Sequence, residues 1–298
     1  MVCLLLDEPF VVGRVQFGFF TREYFKHFVE QHEANHPNED NHGYEDLWKT
    51  YSGRCFAMLP VNAEIEKAKE IAFKHCGLAV DVLKICSNTM IVPEFECTFE
   101  IDQRLSRNTR NEIIVEKIAN EGELSISLYG AGQPFSMHKL QMQQFKERGL
   151  DDFSEFLLEL EGEQSELQKM IVVAIQRLAN AFTIKDLYYR IAEICSILES
   201  LLLVSDTGSM MDPVCKYFCR LVHSNPGDRK ELDKLYRKIY SVRSAWVHHA
   251  KKSNFELSDL SLLQQATHAL LRVLIYKTKS HSTKQTILEE IDEALYNA

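Results

Sequence analysis

Arg243 and His248 stand five positions apart in the run Tyr-Ser-Val-Arg-Ser-Ala-Trp-Val-His-His that occupies residues 240–249. Arginine is a permanent cation that grips phosphate through a fork of N–H donors, and histidine moves protons near neutral pH. Those two side chains suffice to cleave RNA without a metal, because the ribose 2′-OH supplies the nucleophile. On an ideal helix Arg243 lies about 70° from the centre of the apolar stripe Leu232, Leu235, Ile239, Val242 and Trp246, and His248 about 150° from it. Arg243 therefore flanks the core face of its own helix while His248 points away. The two do not share a face, and a groove facing a second protomer is one way to unite them. His249, about 50° from the stripe, reads as a packing or supporting residue.

The elements that position this pair are helical. Apolar residues at 184, 187, 188, 191, 194, 195, 198, 201 and 202 follow the 3.6-residue period. Asp212-Pro213 predicts a cap and first helical position for a short helix ending near Val222. Asn225-Pro-Gly-Asp228 predicts a turn, with Asp228 and Glu231 as a capping box for the helix that carries Arg243 and His248. Long helices are expected over 258–277 and 283–296. Before about residue 137 the pattern is mixed. Residues 10–20, 54–61, 94–101 and 123–129 are strand-like, residues 63–74 look helical with Asn62 as a cap, and residues 130–134 form a turn cluster. The expectation is an α+β protein: a mixed domain over residues 1–150, then an all-α helical bundle over 151–298.

Charge is distributed unevenly. The chain carries −9 overall. Residues 184–280 hold 15 Lys and Arg against 10 Asp and Glu, a local +5 that leaves −14 for the remainder. Arg229, Lys230, Lys234, Arg237, Lys238, Arg243, Lys251 and Lys252 supply this basic character, which reads either as a solvated helix face or as a surface for phosphate.

Helix order, the Arg-Ser-x-x-Val-His run and the upstream Leu-Glu-Ser-Leu-Leu at 198–202 together resemble the HEPN superfamily, and most closely its Apea-like branch. The resemblance covers roughly residues 170–280. It implies a bundle of four or five helices that dimerises and forms a composite site from two Arg-x4-His motifs. Many members are metal-independent ribonucleases that serve as toxins or in antiviral defence. In that mechanism His248 takes the 2′-OH proton or gives one to the leaving 5′-oxygen, and Arg243 stabilises charge on the phosphorane. Ser244 either binds phosphate, orients the histidine or is a plain helix serine. Glu199 either positions Arg243 or is a plain structural partner. His249 stands where a small residue such as glycine often follows the histidine, which bears on groove shape. Lys251 and Lys252, with Arg237 and Lys238, would hold the RNA backbone without sequence preference. The alternative is a HEPN-like domain that only binds or assembles, within a defence complex.

Other chemistry is sparse. His32-Glu-Ala-Asn-His36 matches the H-E-x-x-H zinc pattern, but Pro37 and a polar run follow it and no third ligand is evident. No glycine-rich phosphate loop is present, so the chain supplies no nucleotide engine of its own, and neither a cofactor nor a metal is expected. Eight cysteines without regular spacing suggest reduced thiols in a cytosol, and Cys215 and Cys219, one helical turn apart, read as core packing. Apolar runs at 171–175 and 201–204 fall far short of the roughly 18 residues a membrane span needs. The opening Met-Val-Cys-Leu-Leu-Leu-Asp-Glu has no basic leader. The expected setting is cytoplasmic, with an RNA substrate, a second copy of the chain and a protein inhibitor or defence partner.

Overall fold

Gly13 breaks the apolar run at residues 10–20 into two strands rather than one. In a computed structural model that describes residues 4–6, 8–19, 21–23, 25–26, 30, 48, 52, 55–95, 97, 135–137, 139–204 and 210–296, Gly13 has φ 59°. That is the left-handed backbone a two-residue hairpin requires at its first turn position. Strand β2 (Phe10–Val12) therefore folds back on β3 (Val15–Phe19), with Phe10 opposite Phe17 and their rings stacked at 4.9 Å. β4 (Cys55–Met58) adds antiparallel to β3, and Phe56 seats its ring where a side chain at Gly18 would stand. β1 (Leu4–Leu6) instead pairs in parallel with β5 (Phe135–Met137).

Helix α1 (Ile65–Ile85) runs well beyond the stretch 63–74, because Leu78, Ala79, Val82 and Leu83 continue its apolar face. Its first carbonyl bond goes from Ala68 N–H to Glu64, so Glu64 rather than Asn62 holds the capping position. The described part of 94–101 is turn, not strand. The carbonyl of Pro93 accepts from the buried Arg190 at 2.6 Å, and Cys97 N–H from the same stretch donates to Phe182 O. Residues 123–129, 130–134 and the His32–His36 pattern lie outside the described residues.

Two compact units result. One comprises Met1–Val80 with Thr98–Glu147, which holds the strands and α2 (Lys139–Glu147); the other comprises Asp81–Cys97 with Arg148–Ala298. The second is helical: α3 (Leu150–Glu159), α4 (Glu166–Ala181), α5 (Leu187–Leu202), α6 (Met211–Val222), α7 (Pro226–His249), α8 (Leu257–Lys277) and α9 (Lys284–Tyr296), with a 3-10 turn at Asn88–Met90. The chain is thus α+β, with every described strand before residue 138 and helices alone after it. No helix among the described residues is long and apolar enough to cross a membrane.

Caps decide where these helices begin. Ser165 and Gln168 form a reciprocal capping box for α4, and Asp186 accepts from Tyr188 N–H at the start of α5. Two expected starts move. Asn225, not Asp228, caps α7, taking the Gly227 N–H at 2.7 Å with Pro226 at the first helical position. Helix α6 begins at Met211, so Asp212 lies inside its first turn, where its carboxylate is drawn to Arg237 at 2.7 Å instead of to a backbone N–H.

Helix α8 is the axis of the second unit, packing on α3, α4, α5, α6 and α7. Leu260, Leu263, Leu270, Leu271 and Leu274 are buried on it, and so are three polar residues. Gln264 donates to the carbonyls of Thr89 and Met90, and Thr267 back-bonds to Leu263. His268 packs its ring 5.2 Å from Phe153 and 3.9 Å from the Cys86 sulfur. Burial, with Arg272 and Arg148 nearby, pulls His268 down to about 3, and burial pushes the Cys86 thiol up to about 12. Neither is poised for chemistry at neutral pH. The imidazole has a consequence for stability. An unfolded chain takes up a proton at about pH 6.5 that the folded one refuses. The contribution of His268 is therefore complete above about pH 6.5 and is lost as pH falls toward 3. Urea titrations between pH 6.5 and 4.5 should show stability falling by up to about 1.4 kcal/mol per pH unit, and His268→Leu should flatten that slope. An unchanged slope in the variant would assign it to other groups.

Candidate functional site

Helix α7 buries Leu232, Tyr236, Ile239 and Val242, with Leu235 and Trp246 only half-buried. Tyr236, absent from the predicted stripe, is as fully buried as Ile239, both at 0% exposure. One turn on from Tyr236 come Tyr240 and then Arg243, which spacings of four and three bring to one side of the helix. There they meet Glu199 of α5. Tyr240 Oη donates to Glu199 Oε1 at 3.1 Å, and Arg243 Nη2 donates to Oε2 at 3.4 Å. The Arg243 guanidinium also lies 5.3 Å from the centre of the Tyr240 ring. The Arg243 and Glu199 side chains are 17% and 13% exposed. A charge so placed is held in position by its neighbours rather than by water.

Two polar atoms behind this cluster are buried without a hydrogen-bond partner among the described residues: Arg243 Nε and Tyr236 Oη. Burial pushes the Tyr236 phenol upward, with Cys195, Glu199 and Tyr240 adding to it, and burial pushes the Cys195 thiol up to about 12. Tyr236 and Cys195 therefore stay neutral. Among the described residues Nη2 is the one nitrogen of the Arg243 fork that makes a hydrogen bond.

His248 is exposed on the last turn of α7. No hydrogen bond, ion pair or ring contact joins it to Arg243 among the described residues. One residue is turned in to Glu199 and the other out to water. His249 is exposed as well, which corrects its assignment as a packing residue. The helix is capped at the next residue, Ala250 with φ 49°, and Val242 is its last buried residue, so among the described residues the face His249 occupies stays open. The His249 ring makes an edge contact with that of His248, centres 6.4 Å apart. Ser244 is half-buried and makes no hydrogen bond among the described residues.

The basic residues are mostly spoken for. Arg237 is gripped by both Asp233 and Asp212, which raises its already high pKa further. Lys238 pairs with Asp259 at 2.7 Å, Lys234 with Glu231, and Lys252 with Asp186 at 3.7 Å. Lys251 is exposed and makes no ion pair among the described residues. The local +5 already subtracts these carboxylates, so its excess rests on cations outside such pairs, Lys251 among them. No group of three or more His, Cys, Asp or Glu able to hold a metal occurs among the described residues.

Sequence reasoning anticipated Glu199 beside Arg243. It missed Tyr240, although the three-residue spacing to Arg243 was a signal. It also missed the aromatic cluster at the end of α7, where Trp246 packs against Tyr188 and Tyr189 of α5. No protein-family model, no characterised protein and no solved structure matches the chain.

Proposed function

We propose that the helical unit is a HEPN-type endoribonuclease, cytoplasmic, acting as a homodimer and serving as a toxin or antiviral-defence effector. One observation carries the reading: a single helix holds a guanidinium fixed by Glu199 and ends in an exposed imidazole. Two-fold apposition of the α7 ends presents the same surface from each copy, so an outward His248 faces its counterpart. One imidazole then takes the proton from the ribose 2′-OH as that oxygen attacks phosphorus. The other gives a proton to the departing 5′-oxygen. Arg243, already positioned, stabilises the added negative charge on the phosphorane. Lys251 and Lys252 hold the backbone on either side. No metal enters these steps. The strand-bearing unit senses, binds or restrains, and a protein inhibitor or defence partner is its natural counterpart.

Cleavage of single-stranded RNA should therefore persist in EDTA and leave 2′,3′-cyclic phosphate and 5′-hydroxyl ends, read by end-labelling and mass spectrometry. Sedimentation should give a dimer. Chelator-sensitive cleavage with 3′-hydroxyl ends, or activity in a strictly monomeric protein, counts decisively against the mechanism. The pairing of Arg243 with Glu199 also favours a second reading, a HEPN-like module that binds or assembles without catalysis. An absence of cleavage alongside RNA binding would select it.

A further inference from the structure

The end of α7 carries a second feature that the Arg–His pair does not use. Trp246 is half-buried, with the Tyr188 ring 5.5 Å away and tilted, and the Tyr189 ring 5.4 Å away and perpendicular. Phe255 closes edge-on against Tyr188 at 5.3 Å, and Tyr188 Oη donates to Ser253 O. The arrangement is rigid from behind yet open in front, since Tyr189 is 57% exposed. Lys252 lies over both Tyr188 and Trp246, at 5.2 and 5.6 Å from their ring centres, and Lys251 is exposed beside it. Asp186 is occupied by Lys252 and by the Tyr188 N–H it caps.

We infer that Tyr189, braced edge-on by Trp246 and with Lys252 and Lys251 close by, forms a stacking platform for a nucleobase of single-stranded RNA. An exposed aromatic face accepts any base, because every base presents a π surface, and the adjacent ammonium groups meet the phosphates that flank it. A duplex hides its bases in the stack, so the platform selects unpaired strands. On an ideal helix His249 lies about 60° from Trp246 and His248 about 160° from it, so a strand anchored on the rings crosses the end of α7 to reach His248. The inference rests on the ribonuclease reading for its location and names the substrate class of that site.

The test uses the full chain and a fluorescent 2′-O-methyl oligoadenylate, which 2′-OH attack cannot cleave, with an abasic strand and an RNA duplex as comparisons. Tyr189→Ala should weaken binding of the oligoadenylate about tenfold. Tyr189→Phe should bind like the parent, and the abasic strand should bind both variants and the parent equally weakly. On cleavable RNA, Tyr189→Ala should raise KM and leave kcat unchanged. The inference is overturned if Tyr189→Ala binds the oligoadenylate like the parent, if it weakens the abasic strand equally, or if it alters only the oligomeric state, the mark of a protein contact. The two readings fail separately. Tyr189-dependent binding without any cleavage by the parent sinks the ribonuclease and keeps the platform, while His248-dependent cleavage indifferent to Tyr189 does the reverse.

Discussion

His248→Ala is expected to slow RNA cleavage by about 10²–10⁴-fold, the usual contribution of a positioned general acid or base, while the melting temperature stays within measurement error. The side chain is exposed and its only described contact is the edge of His249, so truncation opens no cavity. Changes of that kind usually fall within about 0.5 kcal/mol. Dimerisation and RNA binding should survive, which separates a lost proton transfer from a lost site. Toxicity in cells should disappear in step with cleavage. His32→Ala should leave cleavage untouched, dividing this chemistry from a zinc-dependent one. If His248→Ala degrades RNA as fast as the parent, the nuclease is excluded and the binding module takes its place.

Glu199→Ala should be the more destructive change for the fold. It strips the counter-charge from a guanidinium that is only 17% exposed and removes the acceptor of the Tyr240 hydroxyl in the same stroke. Leaving a half-buried charge alone costs about 3 kcal/mol, which in a chain of this size lowers the melting temperature by roughly 6–12 °C. Arg243→Ala should abolish cleavage and destabilise less, because an unpaired carboxylate beside Tyr240 still accepts one hydrogen bond. The double variant should be more stable than Glu199→Ala alone, since no orphaned cation remains, and the full cycle of the double against both single variants measures the coupling. Glu199→Gln keeps an acceptor without the charge and should fall between. Thermal and urea unfolding of the four variants would settle it, and a Glu199→Ala protein that melts with the parent would show that the pair holds nothing in place.

These two residues also mark how far a one-dimensional reading reaches. The 3.6-residue period over 184–202 and 232–246 was enough to place both on helices, because burial of an apolar stripe imposes that spacing whatever lies opposite. The change from a mixed region to a wholly helical one near residue 137 was legible for the same reason, and the Glu199 partnership with Arg243 was anticipated. Starts of helices were less so. Asp212 has the letters of a cap, but an aspartate offered both a backbone N–H and Arg237 takes the stronger ionic partner, and that partner lies 25 positions away. The hairpin at Gly13 required knowing that φ would be positive there. His249 looked like a packing residue because angular position was assigned as though the core continued past Trp246. Whether a face meets anything depends on where the neighbouring helices stop. The basic character of residues 184–280 is a sum over letters, whereas the field at the surface depends on which cations Asp186, Asp212, Asp233 and Asp259 neutralise. Tyr189, Trp246 and Lys252 converge only because α5 lies along α7. Local periodicity is a property of the chain and can be read from it; which side chains from distant segments share a patch is settled by packing, and so the tertiary structure alone decided it.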